Sequence, residues 1–373
     1  MSKLVGVDIG TTTVRVVELA GVDAEGYALI SKIGLAPLPA GAVIGGRIRS
    51  ARDVSVGLVR ALKSAGVQRH GFVLGLASPE VALTTMVFPS TVRASERDGA
   101  IRAMGRPLGA TFGLENSSIA TYLAGSTSTQ DGVTMSTVGV AAAMKEDVDL
   151  LQAVCDLARC SPLAIDLSGA ALLRSLTRVN PTAGEVGTIV DVGASKVMVA
   201  TRQGMYLRSL RTTVGAGDEV TRAIASANRS SFEEAEQAKY TMRLSSASAE
   251  LAQGYGFEDD PLAQVSRRSP AEIAFSASVD MLVDAIAQSV EADASNFNSM
   301  SQGVNICGGT ALLRGFKDRL QQRLGIPVAI ARPWAEIERS RRNAEFFVDG
   351  RPDPRLLLTL STAVGLALWK EPL

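Results

Sequence analysis

The residues best suited to chemistry near the start of the chain lie in VGVDIGTTTVRVVELAG, residues 5–21. An apolar run ends at Asp8, a turn follows at Gly10, and a second run alternates apolar and polar residues, which predicts a β-hairpin. A tight turn through glycine lets successive N–H groups form a concave anion site, and threonine hydroxyls add neutral donors. The hairpin tip is therefore a candidate phosphate site, formed by Asp8, Gly10, Thr11, Thr12 and Thr13.

An acid beside a phosphate would repel it, so Asp8 suits this position if a Mg²⁺ ion lies between them, held partly through water. Arg15 shares a strand face with Thr13 by the period of two and is placed to reach the same anion. The alternative is an ordinary tight turn with a polar tip.

A second segment, TIVDVGASKVMVATRQG from Thr188, repeats this pattern about half a chain later. It again has an apolar strand, Asp-x-Gly, small polar residues and a β-rich strand. Such a repeat suggests two related lobes that each open with the same hairpin. Two lobes closing on one phosphate chain would explain the duplication, and the equivalent residues are Asp191, Gly193, Ala194 and Ser195.

A third segment, GVNICGGTALLRGFKDRLQQRLGIP at 303–327, predicts a strand that ends in Gly308 and Gly309 and a helix capped by Thr310. Paired glycines before a helix let a flat ring or a phosphate approach the backbone, although a turn that only needs room has the same pattern. Glu236 and Lys239 in SFEEAEQAKY share a helix face at i, i+3, which by itself indicates a solvated ion pair.

Composition excludes several functions. The chain has 373 residues with 38 basic and 38 acidic side chains, so no bulk charge favours nucleic acid or anionic lipid. Three cysteines and a single histidine, His70, give neither a disulfide framework nor a zinc site, which predicts reduced structural thiols. No GxxxxGK[ST] phosphate loop is present, and GAGDEV at 215–220 lacks the third glycine of a dinucleotide fingerprint.

The location is predicted from the two ends. The N-terminal residues show no export signal, and the apolar segment at 356–369 is shorter than the roughly 20 residues of a membrane-spanning helix. The sequence therefore predicts a cytoplasmic protein with no direct membrane insertion, and a buried terminal helix.

Alternating helical and strand patterns predict an α/β fold. A small inserted domain is expected from near Ser78-Pro79, with the flexible-looking GSTSTQDG at 125–132, followed by a helix at 146–160. In the second half, Ser231 and Glu234 form a predicted capping box, and 271–297 is a long amphipathic helix.

These segments, in this order, resemble the actin-like ATPase superfamily and, within it, the PilM family of type IV pilus assembly proteins, which is related to FtsA. The likeness extends over most of the chain and includes LPAGAVIGGRI, LVRALKSAGV, VDLLQAVCDLARCSPLAIDLSGAALLRSL and the closing LSTAVGLAL. The resemblance implies two duplicated lobes around a nucleotide cleft and a small inserted subdomain. The expected divisions are 1–79 (first lobe), 80–165 (inserted subdomain), 166–185 (return to the first lobe), 186–222 (second lobe), 223–303 (its upper subdomain), 304–345 (adenosine motif) and 346–373 (C-terminal helix on the first lobe).

The resemblance also implies ligands. It places ATP with Mg²⁺ between the lobes, with Asp8 and Asp191 near the metal, and an adenosine site at Gly308, Gly309 and Thr310 with Glu236 and Lys239. Gly217 joins this set as the second residue of Ala216-Gly217, where relatives have two glycines.

The implied partner is the cytoplasmic tail of a PilN-like inner-membrane protein, bound in a groove near the inserted subdomain and connecting the membrane complex to the pilus motor ATPases. Relatives have a lysine where this chain has Arg15, and threonines where it has Ser195-Lys196. These departures predict nucleotide binding with weak or absent hydrolysis.

Two other functions are compatible with the sequence. A sugar-kinase-like phosphotransferase would need a general-base carboxylate, and no segment offers a recognisable one. A related scaffold, either an FtsA-like filament former or a secretion-system homologue that no longer binds nucleotide, is the other alternative; the FtsA form is disfavoured because the chain ends at WKEPL without an amphipathic tail.

Overall fold

The structure is a computed structural model that describes residues 4–105, 108, 112–130, 132–176, 185–204, 206–244, 269–297, 299 and 301–369. Its strands are β1 (Leu4–Ile9), β2 (Thr13–Val22), β3 (Ala28–Pro37), β4 (Val43–Ile44), β5 (Arg47–Ile48), β6 (Val73–Leu76), β7 (Val81–Pro89), β8 (Ser117–Gln130), β9 (Val133–Met144), β10 (Ala164–Leu167), β11 (Val186–Val192), β12 (Lys196–Gln203), β13 (Tyr206–Val214), β14 (Val304–Cys307), β15 (Val328–Ile330), β16 (Trp334–Ile337), β17 (Phe347–Val348) and β18 (Arg351–Pro352). Its α-helices are α1 (Ala51–Ala65), α2 (Ala94–Met104), α3 (Lys145–Ala158), α4 (Ser168–Leu176), α5 (Gly217–Asn228), α6 (Phe232–Lys239), α7 (Pro270–Phe297), α8 (Phe316–Leu324), α9 (Pro354–Thr359) and α10 (Ser361–Ala367).

The two lobes each contain a sheet, and the two sheets share one topology. The strand order is β10-β6-β1-β2-β3-β16 in the first lobe and β13-β12-β11-β14-β15 in the second. In both, the opening hairpin pairs antiparallel and its first strand pairs parallel with a later strand, β6 or β14. The duplication predicted from the two hairpin segments is therefore confirmed, and β16 is an addition to the first sheet.

The inserted subdomain is a three-stranded antiparallel sheet of order β7-β9-β8 with helix α2 against it. Its small core includes Phe88, Ile101, Val138 and Val140. The segment 125–132, expected to be a flexible loop, instead belongs largely to the β8–β9 hairpin. Threonine and serine pair readily across strands when a neighbouring strand supplies the partners, and periodicity alone did not show β9 as that partner.

Helix α3 follows the inserted sheet but packs in the core of the first lobe. Leu151, Val154, Cys155 and Ala158 are buried in the same cluster as Leu58 of helix α1. The helical face predicted at 146–160 is confirmed. Because this face is buried against the first lobe, we propose that the inserted subdomain ends at Met144 instead of at residue 165.

The C-terminal segment forms two short helices, α9 and α10, that meet at Leu360. The predicted burial of this segment is confirmed, but the prediction that it forms one helix is wrong. Helix α10 packs on β1 and α4, so close that a Cβ on Gly365 would overlap the carbonyl oxygen of Ala171. The three cysteines are buried and free, as expected of structural thiols.

Helix α7 is the long helix predicted at 271–297. Of the described helices it alone has the length and composition to cross a membrane. Phe275, Val279, Val283 and Ile286 on one of its faces are buried in the core of the second lobe. That burial is the signature of a core helix, in keeping with the predicted amphipathic pattern.

Candidate functional site

The tips of the two repeated hairpins meet between the lobes. The hydroxyl of Thr11 lies 2.7 Å from the hydroxyl of Ser195. Ser195 also accepts a hydrogen bond from the backbone N–H of Gly45, at 3.0 Å, so the β4–β5 hairpin of the first lobe reaches the same point. The two acidic turns thus face each other, and at this point their hydroxyl groups close the gap between them.

The tip of the first hairpin is closed by Arg15. Its guanidinium group lies 3.2 Å from the carboxylate of Asp8 and donates to the carbonyl oxygen of Thr13 at 3.3 Å. It covers Gly10 so closely that a Cβ there would overlap it. The guanidinium is therefore turned back toward Asp8, while Thr12 is exposed at the tip.

The second hairpin is joined to two other segments through Gly193. Its carbonyl oxygen accepts from the hydroxyl of Thr310 at 2.7 Å and from the N–H of Gly217 at 3.2 Å. The N–H of Asp218 donates to the carbonyl oxygen of Ala194 at 2.8 Å. The N-terminus of helix α5 consequently adjoins the hairpin tip, and its dipole favours an anion there.

Thr310 was predicted to cap the next helix, and that prediction is wrong. Gly308 adopts a φ of 88°, which residues with a Cβ rarely do, and the chain then forms a 3₁₀ turn at Gly309–Leu312. Helix α8 begins only at Phe316, with Gly315 at its N-cap. The hydroxyl of Thr310 is thereby free to hold the second hairpin.

Asp191 is partly buried, next to Gly308, where a Cβ would overlap its carboxylate. Burial raises the pKa of Asp191 above its ordinary value, and the negative charge of Asp8 raises it further, while Lys196 opposes both effects. The two predicted metal-binding carboxylates are therefore close enough to repel each other. A divalent cation between them would relieve that repulsion, so the donor set suits Mg²⁺.

The remaining ligands of such an ion would have to come largely from water and phosphate. Among the residues that the structure describes, no group of three or more His, Cys, Asp and Glu side chains could hold a metal ion. Mg²⁺ commonly keeps several waters and uses one or two carboxylates, which agrees with this arrangement.

The predicted ion pair between Glu236 and Lys239 exists, with the ammonium group 2.6 Å from the carboxylate. It is no solvated bridge, because Lys239 is 1% exposed. Its ammonium group also donates to the carbonyl oxygen of Gly217 at 3.2 Å and to the hydroxyl of Thr221 at 2.9 Å. Lys239 therefore fixes helix α6 to the start of helix α5 and leaves Glu236 partly exposed beside it.

Tyr240 is a residue of this region that the sequence analysis missed. Its pKa is raised to about 12, first by burial and then by the neighbouring carboxylate of Glu236, with which it shares a hydrogen bond. Its hydroxyl lies 3.8 Å from the position of a Cβ on Gly309. Glu236, Tyr240 and Gly309 are thus neighbours on one side of the site.

A model of the family described as "Type IV pilus assembly protein PilM" matches residues 6–287. The chain belongs to the PilM family. Among solved structures, a PilM-PilN type IV pilus biogenesis complex is 19% identical, with 98% of this chain and 97% of that chain covered at a TM-score of 0.71. The ethanolamine utilization protein EutJ from Carboxydothermus hydrogenoformans is 16% identical, with 99% and 90% covered at a TM-score of 0.52. This likeness shows the actin-like fold.

This PilM family member has a groove between the inserted subdomain and both lobes. The cavity has a volume of about 740 Å³. The groove is lined mainly by apolar side chains, among them Leu83, Ile119, Val148, Ile165, Leu207 and Trp369. The hydroxyl of Tyr122, also in its wall, donates to the carbonyl oxygen of Leu207 at 3.1 Å, which ties strand β8 to strand β13 of the second lobe.

Lys196 is the second residue that the sequence analysis did not assign to the site. It is the first residue of β12, and its carbonyl oxygen accepts from the N–H of Gly193 at 2.9 Å, as that of Thr13 does from Gly10 at 3.0 Å in the first hairpin. The side chain is 9% exposed. The only sequence signal was the Ser195-Lys196 pair, which the sequence analysis noted as a departure from the threonines that the resemblance implies.

Proposed function

We propose that this chain is an ATP-binding cytoplasmic scaffold of the type IV pilus inner-membrane assembly platform, which binds the tail of a PilN-like membrane protein with an affinity set by the bound nucleotide. The observation that carries the proposal is the apposition of the two hairpin tips, within 2.7 Å at Thr11 and Ser195, in a chain of the PilM family. A ligand that touches both tips stabilises the closed lobes by its differential affinity for them.

The phosphates of ATP would lie between the tips, against Gly10, Thr11, Gly193 and Ser195. The hydrogen bond between the two hydroxyls must then be replaced by bonds from each hydroxyl to phosphate oxygen. Mg²⁺, held by Asp8 and Asp191 partly through water, would neutralise phosphate charge. Binding and lobe closure, with weak or no hydrolysis, are the expected result.

The adenosine would lie toward Glu236, where a partly exposed carboxylate can accept hydrogen bonds from ribose hydroxyls. Gly309 leaves room for a flat ring beside Tyr240. Lys239 does not face this ligand directly, since its ammonium group is satisfied by protein groups, and it would position Glu236.

The groove of about 740 Å³ is our proposed site for the PilN-like tail. The structural relative at 19% identity is itself a PilM-PilN complex. A mainly apolar lining with few polar groups, such as Tyr122, favours a short apolar peptide segment. The same arrangement would connect the inner-membrane complex to the pilus motor ATPases and hold the chain at the inner face of the membrane through its partners.

A direct structural connection joins the two proposed sites. The β4–β5 hairpin contacts Ser195 through Gly45, and its Arg47 lies 2.9 Å from Glu80 and 3.6 Å from Asp147. Glu80 begins the inserted subdomain, and Asp147 follows its last strand. Movement at the phosphate tips would therefore reach both connections of the inserted subdomain.

Nucleotide binding is tested by titrating a fluorescent ATP with and without Mg²⁺ on wild type, Asp8→Ala and Asp191→Ala. Asp23→Ala serves as the matched control, because Asp23 lies in the turn after β2 and accepts from the N–H of Tyr27. Both site variants should lose affinity, mainly in Mg²⁺, and the control should not. Equal affinity in all four proteins would refute the site.

Tail binding is tested with a labelled peptide of the PilN-like tail and the variant Ala120→Trp, which places a large side chain in the groove at an exposed position. Val133→Trp is the control, since Val133 is 47% exposed in the same sheet and does not line the groove. Loss of binding in both variants, or in neither, would contradict the proposed groove.

A further inference from the structure

Lys196 stands out because its side chain is largely buried while its ammonium group has no bonding partner among the described residues. Only 9% of the residue is exposed. Nevertheless its ammonium group makes no hydrogen bond or ion pair with any residue in the described part of the chain. An unpaired cation on a largely buried side chain is costly, so such a group usually pairs with an anion.

The surroundings of this ammonium group are those of the phosphate tips. Lys196 follows Ser195, whose hydroxyl touches Thr11. Its Cδ lies 3.4 Å from the position of a Cβ on Gly46, so the β4–β5 hairpin flanks its stem. Burial lowers the pKa of Lys196, whereas the charges of Asp191 and Asp8 raise it.

Both carboxylates act on this ammonium group at a distance, and neither comes within ion-pairing range of it. The ammonium group is therefore available to an anion that it holds alone, or to one that a divalent cation also bridges to the two carboxylates. Because Arg15 is already paired with Asp8, Lys196 is the cation at the tips that remains available among the described residues.

We propose that Lys196 binds the β- and γ-phosphates of the nucleotide directly and supplies part of the positive charge that Mg²⁺ would otherwise provide. The inference rests on the proposed nucleotide site. A fixed ammonium group in a partly dehydrated cleft makes a charge-assisted hydrogen bond to phosphate oxygen, and such bonds are stronger than neutral ones. Nucleotide should consequently be retained in part when Mg²⁺ is removed.

The test uses the full chain with a fluorescent ATP analogue, titrated in Mg²⁺ and in EDTA, on wild type and Lys196→Met. The variant keeps the length of the stem and loses the charge. We expect affinity in EDTA to fall about 10- to 100-fold, the range of one charge-assisted hydrogen bond, and to fall less in Mg²⁺. The affinity for adenosine, which lacks phosphate, should be unchanged.

Two controls separate a phosphate contact from a structural role. Lys32→Met removes a lysine whose partner is Glu18, away from the tips, and should leave all affinities unchanged. Lys196→Thr gives the second hairpin the residue type that Thr13 provides in the first, and it serves if Lys196→Met does not fold. It should show the same loss in EDTA.

The outcomes are distinct. ATP affinity in EDTA within twofold of wild type, or a parallel loss of adenosine affinity, would overturn the role of Lys196 and leave the proposed function standing. A wild-type chain that binds no nucleotide in either buffer would overturn the nucleotide part of the proposed function and this inference with it.

Discussion

Arg47 should transmit nucleotide binding to the partner groove, and Arg47→Met tests this. The guanidinium group lies 2.9 Å from Glu80 and 3.6 Å from Asp147, and it also donates to the sulfur of Met144 at 3.0 Å. It therefore holds the first and last connections of the inserted subdomain against the β4–β5 hairpin. Methionine keeps much of the stem packing and removes all three polar contacts.

The free energy of coupling that Arg47→Met removes can be judged from the exposure of the two ion pairs. Arg47 and Glu80 are 30% and 38% exposed, so solvent screens their attraction, and each pair contributes about 0.5–1 kcal/mol. The loss of both removes at most about 1–2 kcal/mol of coupling, which is about 5- to 30-fold in affinity ratio.

The assay is the anisotropy of the labelled PilN-like tail peptide, with and without a non-hydrolysable ATP analogue and Mg²⁺. The quantity of interest is the ratio of the two dissociation constants. We expect Arg47→Met to bring this ratio close to one while each ligand alone binds nearly as before. Arg202→Met is the control, because Arg202 forms a comparable pair with Glu185 at the far end of the second hairpin. A wild-type ratio that survives in Arg47→Met would refute the reasoning.

Three further results are expected. Burial raises the pKa of Asp191, so its ionised form destabilises the folded state above that pKa, and this cost disappears as the pH falls to the pKa that Asp191 has in the unfolded chain. Asp191→Asn should therefore raise Tm more at about pH 7 than at about pH 4. A Tm below that of the wild type at pH 7 would contradict this. Asp293 is 1% exposed and accepts from Thr201 and Arg211 at 2.7 Å each, so Asp293→Asn should reduce the free energy of unfolding by about 2–4 kcal/mol in denaturant titrations; a loss under about 1 kcal/mol would show that the amide replaces the carboxylate. Gly217→Ala would push a methyl group into the hydroxyl of Thr310 and should weaken binding of fluorescent ATP; unchanged binding would mean that this junction yields without cost.

The architecture was largely accessible from sequence because it repeats. An Asp-x-Gly turn between two β-rich runs occurs twice, and each occurrence lies in a sheet with the same order of neighbouring strands. The capping box at Ser231 was also correct, with the N–H of Glu234 donating to the serine hydroxyl at 3.2 Å. Each hairpin and the capping box are local, so neighbouring residues determine them.

The misassigned features depend on contacts that the sequence does not contain. Periodicity showed which face of α3 is buried but not that Leu58 of the first lobe covers it. The positive φ of Gly308 redirected Thr310 from a helix cap to the second hairpin. Lys196 was passed over because its isolation depends on how the β4–β5 hairpin and the two acidic turns enclose it.

The hydrogen bond from Tyr122 to Leu207 holds the second lobe against the inserted subdomain, so the groove has walls from both lobes and from the inserted subdomain. A docked tail would therefore bias the interlobe angle. By linkage, the tail would then change the affinity of the chain for ATP by the same factor by which ATP changes the affinity of the chain for the tail. Where many tails are anchored in one membrane, chains recruited there would hold a different nucleotide occupancy from chains that diffuse freely. The fraction of chains that carry ATP would then depend on the local concentration of PilN-like tails in the membrane.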